Sequence, residues 1–366
     1  NLMFFSTDGI LGTPISVSAT YIFVFLLFGA FLVKTGVGQY FNDLAVALAG
    51  KLTGGPAKVA IFSSALQGTI SGSSVANVVT SGSYTIPMMK KLGYKKEFAG
   101  AVEAAASTGG QLMPPIMGAA AFLMVEFIGR GITYWEIAKA AAIPALLYFT
   151  GIWIMTHFEA KRLGLRGLSD EEMPNRKEVL KKIYLLIPIL LIIVLMLTGT
   201  PVMKAALYGV LACILVGMFN KDTRLGPIDI IDALVDGART ALGVVAATAC
   251  AGIIVGVVVK TGLGLSLANS LVKLAGGSIM LTLFFVMIAS LILGMGAPTT
   301  ANYVITSTIA APAILTLLSP NTPMELVPLV TVMSAHFFVF YFGIIADITP
   351  PVALAAFAAS GISGGD

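Results

Sequence analysis

Two short runs in this 366-residue chain hold the residue types that could do chemistry. Ser71 to Asn77 reads S-G-S-S-V-A-N and Gly296 to Asn302 reads G-A-P-T-T-A-N, each inside an otherwise apolar stretch. Ser71, Ser73, Ser74, Asn77, Thr299, Thr300 and Asn302 bring hydroxyl and amide oxygens to these two places. Such hard oxygen donors, together with the carbonyls that a broken helix leaves unbonded, suit Na⁺ better than any soft metal. A break also presents the N-terminus of the following helix, whose partial positive charge suits a carboxylate. The end of the preceding helix carries partial negative charge and suits a cation.

What must position these runs is a membrane fold. The chain is 57% hydrophobic and only 11% charged, with a mean hydropathy of +0.94, outside the range of a soluble domain. Apolar runs of roughly 17 to 25 residues recur throughout and leave no room for a soluble domain. No alternating barrel pattern occurs, so the expectation is an all-α polytopic membrane protein embedded in the lipid bilayer. Residues 18–35 form a first span and 37–51 an amphipathic piece at the interface. Residues 56–70 and 75–89 are each too short to cross comfortably, and with S-G-S-S between them they predict a re-entrant helical hairpin. The stretch 97–129 is divided by Gly109, Gly110, Pro114 and Pro115, since proline removes a backbone donor and frees carbonyls. A short interfacial piece at 133–139, a span at 140–158, a charged loop from Glu159 to Lys182, and plain spans at 183–198 and 201–219 follow. An amphipathic piece at 228–236 leads into a span at 237–259, a helix at 265–275 and a second hairpin, 278–294 and 299–316. The last long span, 325–362, is broken at Asp347-Ile348-Thr349-Pro350-Pro351.

Three landmarks recur in one order and predict an internal duplication. The two asparagines lie 225 positions apart (302 − 77), K-T-G-V-G at Lys34 answers K-T-G-L-G at Lys260, and Pro114 answers Pro350. The second half is slightly longer, and the surplus falls in the linker Ser319 to Pro323. This divides the chain into a first repeat at 1–139, scaffold spans at 140–236 and a second repeat at 237–366. Five crossings separate the repeats, and an odd number inverts one against the other. Placing the loops Lys90–Lys96 and Glu159–Lys182 in the cytoplasm leaves only Arg130, Lys139, Lys204, Lys260 and Lys273 outside, so 17 of the 22 basic residues lie inside (22 − 5). That bias puts the N-terminus outside, opens the first hairpin from the cytoplasm and the second from the exterior.

Other polar residues are weighed against this frame. Thr108, Gly109 and Gly110 border the first broken span, and Asp347 and Thr349 the second. A carboxylate at a helix centre costs about 2.5–3.5 kcal/mol on insertion scales, so Asp347 is expected to serve a cation site. Glu103 and Glu126 read equally well as structural partners. His157 and His336 have no Cys, Asp or Glu at ligand spacing, so no metal site other than Na⁺ is expected. Cys213 and Cys250 read as small buried hydrophobes, and the basic residues mark topology rather than a nucleic-acid surface. An intramembrane hydrolase using Ser73 or Ser74 with His336 lacks a G-x-S-x-G elbow, so the chain does not read as an enzyme and no catalytic residue is assigned.

The runs G-T-I-S-G-S-S-V-A-N-V-V-T-S-G-S, E-F-A-G-A-V-E-A-A-A-S-T-G-G-Q-L-M-P-P-I-M-G-A-A-A-F and G-M-G-A-P-T-T-A-N-Y resemble the large membrane subunit of TRAP transporters, most of all the TAXI branch, in which small and large subunits are fused. The resemblance covers nearly all the chain. It implies an elevator-type permease of a bacterial or archaeal cytoplasmic membrane, driven by Na⁺ and fed by a periplasmic substrate-binding protein. It implies one cation site at Ser71, Gly72, Ser74, Asn77, Thr108 and Gly110, and another at Gly296, Thr299, Asn302, Asp347 and Thr349. Ser73, Gly109, Thr300, Pro114 and Pro350 are then expected to face the substrate, a small organic acid such as a dicarboxylate or an amino-acid-like anion. The small-subunit helices and a further C-terminal span are expected outside this chain, which opens at Asn1 and closes at Asp366 and reads as part of a longer protein. A stand-alone cation-coupled dicarboxylate symporter is the nearest rival, since its inverted hairpins would look similar. A channel fits less well, because hairpins of opposite orientation make alternating gates.

Overall fold

A computed structural model describes residues 2–114, 116–219, 224–320 and 322–365; Pro115 of the first Pro-Pro break and Asn321 of the linker lie outside the described residues. Helices dominate, and no strand occurs among the described residues. In chain order they are α1 (Thr13–Lys34), α2 (Val37–Ala49), α3 (Gly55–Ser71), α4 (Ser74–Leu92), α5 (Lys96–Gly110), α6 (Ala120–Ile128), α7 (Tyr134–Arg162) and α8 (Ile187–Leu197). They continue with α9 (Val202–Gly217), α10 (Pro227–Thr261), α11 (Leu263–Leu274), α12 (Ile279–Gly294), α13 (Thr299–Ile309), α14 (Ala311–Leu318), α15 (Leu329–Ile345) and α16 (Leu354–Ser363). Five helical stretches are long and apolar enough to cross a membrane, or six if the bent pair ending in α8 is one span. The chain is a multi-pass membrane protein.

The breaks fall where residue chemistry forbids a helix to continue. α3 ends on Gly72, whose φ of 56° is left-handed, and Ser73 is extended and caps α4 by accepting from the Ala76 N–H at 3.4 Å. α12 gives way to α13 across Gly296, with φ 73°, and Pro298 sets the entry to the new helix. The two K-T-G motifs also match in geometry: Gly36 and Gly262, at φ 77° and 67°, each begin the next amphipathic helix. Between α5 and α6 the turn runs through Pro114 and the left-handed pair Met117 and Gly118. Between α15 and α16 a 3₁₀ turn, Ala346–Ile348, precedes Pro350 and the left-handed Ala353.

Three expected boundaries move. Residues 133–139 and 140–158 form the single 29-residue α7, because the join Lys139-Ala140-Ala141-Ala142 is strongly helix-forming and Pro144 is absorbed within the helix. Residues 228–236 and 237–259 are likewise one helix, the 35-residue α10. Gly237 there is a packing contact rather than a stop, since a Cβ on it would lie 2.6 Å from Leu27 Cδ2. The return arm of the second hairpin divides at Ala310, just before Pro312 opens α14.

Contacts gather the chain into two compact units. One comprises residues 23–117, 138–241 and 354–366. In it α5 packs on α3, α4 and α16, α2 on α3, and α9 on both α8 and the end of α1. The other comprises residues 1–22, 118–137 and 242–353, with α15 at its centre against α12, α13, α14 and α6. Each break in the long stretches 97–129 and 325–362 is therefore also the place where the chain leaves one unit for the other. Cys213 is buried as expected, but Cys250 is on an exposed face of α10.

Candidate functional site

In the first unit the chemistry centres on Asn77, one turn into α4 and 1% exposed. Its Nδ2 donates to the Ser64 carbonyl at 2.9 Å, fastening α4 to α3. Its Oδ1 is buried without a hydrogen-bond partner, as are Ser71 Oγ and Thr108 Oγ1. The α5 backbone comes close because its last residues are glycines. A Cβ on Gly110 would stand 2.5 Å from Asn77 Nδ2 and 3.0 Å from Gly68 Cα, and one on Gly109 would collide with the Tyr148 ring. Ser74 and Gly72 are buried, Ser73 is spent on the cap, and Pro114 is half-buried in the turn that follows α5.

In the second unit the corresponding residue is Asn302, also 1% exposed. Its Nδ2 donates to the Gly343 carbonyl at 2.6 Å, which fastens α13 to the broken helix α15, and its Oδ1 is again buried and unpartnered. Glycines again admit the amide: a Cβ on Gly343 would lie 2.5 Å from Oδ1, and one on Gly294 would lie 2.6 Å from Nδ2. Asp347 is 4% exposed in the 3₁₀ turn after α15, and Thr300 is buried. Thr349 Oγ1 donates to the Ile345 carbonyl at 2.8 Å, while Thr299 is half-buried. Gly296 and Pro350 are exposed, although a Cβ on Gly296 would touch Val352 at 3.5 Å, so the hairpin break lies beside the turn that follows α15.

Other polar residues are accounted for structurally. His336 sits 2.7 Å from the Tyr303 hydroxyl, and His157 Nδ1 lies 3.0 Å from Lys58 Nζ. Glu126 is exposed. Glu103, which from the sequence could face water or a lysine or be paired structurally, is fully buried on α5 and accepts from Ser64 at 2.9 Å, from Ser107 at 3.1 Å, and from Ser81 and Thr85. The signal was present: Ser81 and Thr85, like Glu103 and Ser107, are spaced by four within apolar helices and therefore share a face. Gly68, Gly294 and Gly343 were also missed, because a glycine in a membrane helix signals close packing without naming what approaches.

Matched hairpins, matched helix breaks and buried oxygen donors at each pair define a polytopic protein built like a membrane transporter. Its family follows from comparison: residues 5–365 match the family model described as the DctM component of the tripartite ATP-independent periplasmic (TRAP) transporters, and the chain belongs to that family of secondary-transporter subunits. It is 25% identical over 345 residues to the isethionate TRAP transporter permease protein DctMQ of Oleidesulfovibrio alaskensis, covering 93% of this chain and 51% of that one. It is 29% identical over 209 residues to the C4-dicarboxylate TRAP transporter large permease protein DctM of Vibrio cholerae, covering 56% and 44%. The sialic acid TRAP transporter large permease protein SiaM of the same organism is 29% identical over 216 residues, covering 58% and 50%. The chain spans about half the length of the curated relatives it matches.

Proposed function

We propose that this chain is the permease core of a Na⁺-coupled TRAP transporter that takes up a small organic acid delivered by a periplasmic substrate-binding protein. The observation that carries this reading is the duplicated asparagine. Each is locked by its amide nitrogen beside glycine, Asn77 against Gly110 and Asn302 between Gly294 and Gly343, and keeps a buried acceptor oxygen without a donor. A buried acceptor left in this state costs about 1–3 kcal/mol, and a cation relieves that cost. Ser71 Oγ and Thr108 Oγ1 add to the oxygen set at the first hairpin, and buried Asp347 adds negative charge near the second. Donors of this hardness fit Na⁺.

In this reading Ser71, Gly72, Ser74, Asn77, Thr108 and Gly110 hold one ion, and Gly296, Thr299, Asn302, Asp347 and Thr349 hold the other. Ser73, Gly109, Thr300, Pro114 and Pro350 face the substrate. Each ion entering down a 100 mV potential supplies about 2.3 kcal/mol for accumulation. The relatives are named for isethionate, C4-dicarboxylates and sialic acid, all acids that ionise at neutral pH. The starts of α4 and α13 present the positive ends of their helix dipoles to such an anion. The partners are the binding protein and a small membrane subunit, fused upstream as in the TAXI type, in a bacterial cytoplasmic membrane. Transport runs as an elevator, with the two hairpins and broken spans moving against the scaffold at 140–236.

The test is uptake of a panel of labelled organic acids by the full-length protein in proteoliposomes, with and without Na⁺ and the cognate binding protein. Accumulation that requires both is the expected result. Equal uptake without the binding protein would make the chain a stand-alone symporter instead.

A further inference from the structure

We propose that Glu103 is a proton-binding site, and that the four hydroxyls around it pass its protonation state to Asn77 at the hairpin break. The carboxyl group is fully buried where α3, α4 and α5 meet, and its partners are all hydroxyls: Ser64 at 2.9 Å and Ser107 at 3.1 Å, with Ser81 and Thr85. No described cation faces it from the helices packed on α5. Lys58 of α3 turns to His157, Lys90 of α4 to the Ser363 carbonyl and Lys91 to Glu172; Tyr84 of α4 is exposed, Tyr148 of α7 donates to the Ala105 carbonyl, and α16 has no titratable side chain. On α5 itself, Lys96 donates to the Gly364 carbonyl and pairs with Glu97.

Geometry selects the occupant. The hydroxyls touch the carboxyl oxygens directly, and Gly82 closes the remaining side, where a Cβ would lie 2.9 Å from Glu103 Cγ. A metal ion would have to separate these contacts, whereas a proton needs no volume. Both protonation states are satisfied by the same atoms. With the group ionised, all four hydroxyls donate to it. With the group neutral, its O–H donates to Thr85 Oγ1. The Thr85 proton then turns to the Ser81 carbonyl, 3.1 Å away, while the neutral carboxyl holds the Ser81 hydroxyl less strongly against that hydroxyl's second acceptor, the Asn77 carbonyl 2.8 Å away. A second link runs through Ser64, whose Oγ donates to Glu103 while its carbonyl holds Asn77 Nδ2. A proton gained or lost at Glu103 thus turns the Thr85 hydroxyl and shifts the balance of the Ser81 hydroxyl between Glu103 and the Asn77 carbonyl. The proton site stands on this geometry alone; its coupling to a cation at the break rests on the function proposed above.

The experiment is infrared difference spectroscopy of the full-length protein in lipid films, stepping pH with and without Na⁺. The expected signature is a carboxylic C=O band that shifts in deuterium oxide, vanishes as pH rises, is absent in Glu103→Gln and persists in Glu126→Gln. Ser107→Ala, which removes a donor from the carboxyl oxygen that does not carry the proton and so weakens the ionised form more, moves the band's midpoint to higher pH and provides the test if Glu103→Gln does not fold. Na⁺ moves the midpoint lower. A spectrum unchanged by Glu103→Gln, or a midpoint indifferent to Ser107→Ala, overturns the proton site, and a midpoint indifferent to Na⁺ overturns the coupling. Loss of Na⁺ dependence in uptake with the band intact would sink the proposed function and leave the proton site standing.

Discussion

Asn77 and Asn302 each do two things with one side chain: the amide N–H₂ fastens a helix, and the amide oxygen is left to accept. The fastening depends on glycine, because the neighbouring backbone must approach within the space a methyl would fill. Gly110→Ala pushes a Cβ against Asn77 Nδ2 and is expected to cost about 1–3 kcal/mol as overpacking. Gly151→Ala, with nothing within 4 Å, is the control. Thermal unfolding in detergent should fall by several degrees for the first and hold or rise for the second; equal midpoints would mean that α5 shifts freely. Asp347 is predicted to supply the charge at the second site. Asp347→Asn keeps its size and one ligand oxygen, so the Na⁺ half-saturation of uptake should rise about tenfold, equivalent to ~1.4 kcal/mol, while exposed Glu325→Gln leaves it alone. An unchanged half-saturation in Asp347→Asn would make it a structural partner only.

At the scale of elements, the sequence is most legible where chemistry forbids helix. Gly72 with Ser73, Gly296 with Pro298, and the K-T-G turns at Gly36 and Gly262 all stop helices where their residue types require it. Where no such residue intervenes, patterning misplaces boundaries: an amphipathic stretch continuing into an apolar one is a single helix in α7 and in α10. Partners across helices were the least legible part, because Glu103 on α5 meets Ser64 on α3 and Ser81 and Thr85 on α4. The charged loop after α7 is tied down by ion pairs, Asp170 to Lys51 and Glu172 to Lys91. Hydrogen bonds from these lysines hold both carboxyls below their usual range. A depressed folded-state value stabilises above the unfolded one and is lost as pH falls through the folded one. Protease nicking of this loop in membranes should therefore be constant between pH 6 and 8 and increase once pH drops below about 4. Increased nicking at pH 8 would contradict these ties.

For the whole molecule, the duplication predicts opposite orientations of the two hairpins in the bilayer. A cysteine at Lys95 should be labelled from the cytoplasm and one at Thr322, in the linker, from outside; labelling of both from one side would end the inverted-repeat account. The central claim is that two asparagine-centred breaks each hold a Na⁺ that drives uptake. It is tested most directly by initial uptake against Na⁺ concentration in proteoliposomes at fixed membrane potential, with the binding protein present, for the unaltered chain, Asn77→Ala and Asn302→Ala. The account predicts a sigmoidal dependence in the unaltered chain and a slope reduced towards one in either variant. Uptake indifferent to Na⁺, or sigmoidal with the same slope in both variants, would contradict it.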